Sequence, residues 1–237
     1  MRASDFAFTE KKNNMEDKLE DIFEGLKQKS TTKQIIYRNT KETFDQLRDC
    51  AAGIVDRLSK KITAVDSSII IEYRNINDLE FHIKFSGDLL IFVMHSNVVT
   101  FPEENELMTS DYVEEDFRRR FFGHIMAYNF MADSIKYGRM NDPGYLLARL
   151  LINFENHFYL EGVTQLDLPY TDMATNIIDE EALRLFIESA MIASVNNDLM
   201  APDIEDIRKI TVKQKMENQQ VSRGQKLGFS FSFEQNV

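Results

Sequence analysis

The hydrophobic pattern switches repeatedly between two periods along this chain, and the changes mark its elements. Over residues 10–29, Met15, Leu19, Ile22 and Leu26 recur at spacings of four, three and four, with Phe23 beside them. That spacing puts them on one narrow stripe of a helix among charged neighbours. Over 40–62, Phe44, Leu47, Ala51, Ile54 and Leu58 repeat the pattern, so a second helix is predicted. Asn39 stands where a helix cap belongs, with Glu42 three residues on in the manner of a capping box, and Lys60 and Lys61 suit the negative end of the helix dipole.

The period then drops to two. Ser68–Arg74 is rich in branched and aromatic residues, and Asn75-Ile76-Asn77-Asp78 reads as a turn. Leu79, Phe81, Ile83 and Phe85 alternate with Glu80, His82, Lys84 and Ser86, the signature of a strand with one buried face. After Ser86-Gly87-Asp88, the run Leu89–Met94 is apolar without alternation, which predicts a central strand covered on both sides. Val98–Phe101 is read as a short fourth strand ending at Pro102.

Further on, Ser110 or Asp111 can cap a helix in which Glu114, Glu115 and Asp116 precede Arg118, Arg119 and Arg120 by four residues. This orientation pairs the charges locally and argues against a phosphate site. Phe121–Phe130 is read as a strand because Gly123 disfavours a helix interior. Asn141-Asp142-Pro143-Gly144 is a turn, and 145–161 is read as a hairpin turning at Asn153–Asn156. A loop over 163–176 leads to Asp179, the cap of a helix carrying Leu183, Phe186, Ile187, Ala190, Met191 and Ser194 on one face. Ile204, Ile207 and Ile210 suggest one more short helix. In the tail, Phe229, Phe231 and Phe233 alternate with Ser230 and Ser232, a strand pattern that would seek a sheet edge in its own domain or on a neighbour.

Together these give an α+β fold: an antiparallel sheet, formed by a meander over 67–101 plus the hairpin over 145–161, under two N-terminal helices and a C-terminal helix. The expected division is an N-terminal helical extension (1–38), one α+β domain (39–212) and a C-terminal tail (213–237). The chain has 18 Phe and no Trp, so Phe should fill the core. A net charge of −11, from 39 acidic and 28 basic residues, makes direct nucleic-acid binding a poor expectation. With Cys50 the sole cysteine, no internal disulfide can form, and a reducing cytoplasmic location is expected. No apolar run approaches a membrane span, so no membrane insertion is expected.

Chemical motifs are scarce. There is no glycine-rich phosphate loop, no zinc pattern around a single cysteine and no nucleophile elbow. His82, His95, His124 and His157 never stand at ligand spacing within one element. No catalytic residue, metal ligand or cofactor is assigned. The leading expectation is a non-catalytic interaction or assembly protein, meeting a protein partner or a second copy through Met15, Leu19, Ile22 and Leu26 and through Phe229, Phe231 and Phe233. One alternative gathers Asp133, Asp142 and Glu161 around a divalent cation in a hydrolase or nuclease-like site. Val163, however, stands where such a nuclease would carry a lysine. A further alternative is an acidic mimic that occupies a basic nucleic-acid-binding surface.

Overall fold

A computed structural model describes residues 3–162, 168–170 and 172–197, and beyond them 199–200, 204, 208 and 225–226; among these, side chains are described from residue 18 to 197 and at 204 and 208. Its centre is a six-stranded antiparallel meander in which each strand pairs with its neighbour in sequence. The strands are β1 (Ile71–Asn77), β2 (Glu80–Phe85), β3 (Asp88–Val99), β4 (Phe122–Met131), β5 (Tyr145–Ile152) and β6 (Phe158–Gly162). One face is covered by helix α1 (Ala3–Thr63) and by α4 (Glu180–Val195). The short helices α2 (Asp111–Glu115) and α3 (Ala132–Lys136) flank β4.

The antiparallel sheet and the C-terminal helix are as the pattern predicts, but the two N-terminal helices are one. Residues 30–39, left between the two predicted helices, carry no Gly or Pro and simply continue α1. Thr32 and Thr40 donate their hydroxyls to the carbonyls of Gln28 and Ile36, at 2.7 Å each, so neither needs to leave the helix. Asn39 is consequently not a cap. It lies mid-helix and donates its side-chain amide to the carbonyl of Phe154 at 3.0 Å, tying α1 to the β5–β6 turn.

Two strand boundaries also move. β1 starts at Ile71 and absorbs Asn75–Asn77, leaving Asp78 and Leu79 to turn, with Asn77 Oδ1 accepting from the Leu79 amide at 2.8 Å. Val98 and Val99 are not a separate strand: β3 reaches them across an irregularity in its pairing with β4 after His95. The strand read over Phe121–Phe130 is observed as Phe122–Met131, and the hairpin of β5 with β6 stands as expected.

The inner face shows why these elements assemble. Phe81, Ile83, Leu90, Phe92, Ile125, Ala127 and Ile152 are fully buried there. A chain of rings crosses it from helix to helix. Phe44 of α1 meets Phe81 at 5.4 Å, Phe81 stacks on Phe92 at 4.7 Å, and Phe92 meets the ring edge of Phe186 of α4 at 5.9 Å. Gly123 lets α1 lie close on β4, since a Cβ there would fall 1.9 Å from Thr40 Oγ1. Asp179 caps α4 as predicted, accepting from the Ala182 amide at 2.7 Å.

The outer face is covered at one end by the segment between β3 and β4. Leu107, Met108 and Val113 close over Phe122, Leu151 and Met173, with Phe101, Tyr112 and Tyr159 at the rim.

Candidate functional site

The long helix passes from seated to free within one turn. From residue 18 to Thr31 no side chain of α1 is buried; Thr32 is the first, and from there Ile36, Phe44, Leu47, Ala51 and Ile54 pack on the sheet. At 1.5 Å per residue, the free stretch whose side chains are described runs about 20 Å. On it, Leu19 is 64% exposed, Ile22 57%, Phe23 56% and Leu26 58%. Lone exposed apolar residues are ordinary, but four on one helix face make a contiguous patch of the kind that marks an interaction surface. The side chain of Met15 is not described, and Phe229, Phe231, Phe233, Ile207 and Ile210 lie outside the described residues.

Where the helix meets the domain lies a separate groove of about 360 Å³, lined by Gln28, Lys29, Thr32, Phe117, Arg118 and Phe121. Phe117 is 51% exposed there, with the Arg120 guanidinium over its ring at 5.2 Å. The arginine triplet is engaged locally, as expected, although through different pairs. Arg118 binds Asp116, Arg119 binds both Glu115 and Glu155, and Arg120 approaches Glu103. Only Glu115 with Arg119 keeps the predicted four-residue spacing, because the chain bends at Asp116 from α2 into a 3₁₀ turn.

A polar knot locks this region to the sheet. Tyr112 donates to Glu155 at 2.6 Å and accepts from the Asn153 amide at 2.8 Å; Arg119 donates to the same Glu155 oxygen at 2.8 Å. Burial and the bond to Glu155 push the Tyr112 hydroxyl up to about 12. Burial would raise the Glu155 carboxyl, but its bonds from Arg119 and Tyr112 outweigh that and hold it below the usual range. His157 stacks on Tyr112 at 5.1 Å and bonds the Met173 carbonyl through Nδ1 at 2.9 Å. Each group is satisfied by another protein group, so the knot is a fastening.

The three acids considered for a metal site serve different partners. Asp142 accepts from Ser134 at 2.6 Å, Glu161 is clamped by Arg149 across the β5–β6 pair, and Asp133 is exposed on α3. Among the described residues no three His, Cys, Asp or Glu side chains group where they could hold a metal ion. A cleft of about 970 Å³ is lined by Arg74, His82, Lys84, Lys136 and Arg139, with Asp88 and Asp133 beside them, and carboxylates meet its basic side chains. Glu72 pairs with Arg74 and stands opposite Lys84, Glu80 bonds His82, and Asp142 lies near Arg139. Cys50 is half-buried, and burial, with Glu180 and Glu188 behind it, pushes its thiol up, so it is a poor nucleophile.

One pairing was invisible in the sequence. β3 and β4 set His95 directly opposite His124, with ring centres 4.6 Å apart and planes at 87°. His124 is 7% exposed, and neither of its ring nitrogens has a hydrogen-bond partner. Burial, reinforced by His95 and Arg149, lowers its pKa to about 4, so it is neutral near pH 7. Only the strand register, fixed by the core, could reveal this contact.

No described helix is long and apolar enough to cross a membrane. Comparison with known protein families, with curated proteins and with solved structures finds no match.

Proposed function

We propose that this protein is a non-catalytic assembly protein that joins to a second copy of itself through the free half of α1. The observation that carries the reading is the exposure of Leu19, Ile22, Phe23 and Leu26 on one face of a helix whose next turns are seated in the core. A narrow stripe at spacings of three and four is the pattern by which one helix packs on a like helix, and the same patch on two copies closes by two-fold symmetry. The strand-like Phe229, Phe231 and Phe233 belong to the same proposal as a second apolar strip.

Sedimentation velocity of the full chain, wild type against the Leu19→Glu/Leu26→Glu double variant, tests this. A wild-type oligomer that becomes a monomer in the variant, with unchanged circular dichroism and Tm of the domain, is the expected result. A wild type that is monomeric at every concentration, or an oligomer untouched by the two charges, overturns it.

A further inference from the structure

We infer that His95 and His124 form a two-imidazole site for a divalent transition metal, with Cu²⁺ and Zn²⁺ the ions it suits. The inference stands on register, spacing and an unsatisfied buried group. Antiparallel pairing puts the two residues opposite each other on the same face. Rings with centres 4.6 Å apart can each offer one nitrogen to a single ion at the usual metal–nitrogen distance of about 2.0–2.1 Å, once the exposed His95 turns about its side-chain bonds.

His124 supplies the second, independent observation. It is 7% exposed, and both its nitrogens lack a partner. Burying a polar group without a hydrogen bond is costly, and such a group in a folded protein calls for an explanation. A metal ion satisfies one nitrogen with a bond stronger than a hydrogen bond. Imidazole is a borderline donor, matched to Cu²⁺, Zn²⁺ and Ni²⁺ and not to Mg²⁺ or Ca²⁺. Its low proton affinity leaves His124 neutral near pH 7, with a lone pair free for the metal. Arg149, whose charge acts on His124, is clamped by Glu161, which offsets its repulsion of an ion. No third His, Cys, Asp or Glu among the described residues joins the pair. The protein therefore gives two ligands, and water completes the shell on the open side, where His95 is exposed.

The test titrates full-length, chelator-treated protein with Cu²⁺, Zn²⁺ and, as a control, Mg²⁺. It reads thermal unfolding, and in parallel the imidazole NMR signals during the Zn²⁺ titration. The expected result is a saturable rise in Tm with Cu²⁺ and Zn²⁺, tighter for Cu²⁺, and none with Mg²⁺. With Zn²⁺, the His95 and His124 signals should shift together while those of His82 and His157 stay still. His95→Ala, at an exposed position, should fold normally and lose at least about tenfold in affinity, because the second imidazole acts as a tethered ligand. Absence of a rise in Tm, or a rise that survives His95→Ala undiminished, overturns the inference.

Discussion

The two halves of α1 carry the same pattern and have opposite fates. In the first, Leu19, Ile22 and Leu26 stand in water; in the second, Phe44, Leu47, Ala51 and Ile54 repeat the spacing and are buried. Both halves form helix for the same local reason. What differs is whether a sheet lies beneath them. Hydrophobic periodicity defines a face, and whether that face is buried depends on what the rest of the chain lays against it.

The contrast can be broken or sharpened by substitution. The largest effect is expected at Phe44, fully buried and in contact with Phe81. Phe44→Ala should cost about 3–5 kcal/mol in urea unfolding; a loss under 1 kcal/mol would mean that the helix is not seated as described.

Acid should act next. Below its ordinary pKa of 6.5 His124 takes a proton in the unfolded chain, but in the folded one only near pH 4. Its contribution is whole above pH 6.5 and is lost as pH falls across that window, about 3 kcal/mol in all. His124→Leu should flatten this part of the pH–stability curve in metal-free buffer. The Glu155 contribution, from a carboxyl held low, is lost in more acid solution and should remain.

The smallest effect belongs to the free half. At dilutions where copies do not meet, Leu26→Ala should change domain stability by no more than about 0.5 kcal/mol, because that side chain is 58% exposed. An effect of core size would place Leu26 under cover from the chain itself.

The path from residues to fold was legible where packing agrees with local pattern. Alternation from Leu79 to Phe85, the unbroken run from Leu89 to Met94 and the capped helix after Asp179 each name their own environment. The reading failed at Asn39. Polar residues tolerate either helix or loop, and a side chain that can cap can equally reach a carbonyl on a distant turn, as Asn39 does at Phe154. Of the candidate site, the stripe could be read but its exposure could not. The facing of His95 and His124 was beyond reach, since their sequence separation says nothing about register.

What the chain alone determined is therefore local: the antiparallel α+β class, the strand faces, the Phe-filled core and the stripe on the first helix. Each follows from the geometry of a helix turn or a pleat, which repeats within a few residues. Tertiary structure decided which stripe finds a partner in the same molecule, which acids are spoken for and which two histidines meet. Those outcomes depend on distances between segments far apart in sequence, and only the packed sheet sets them.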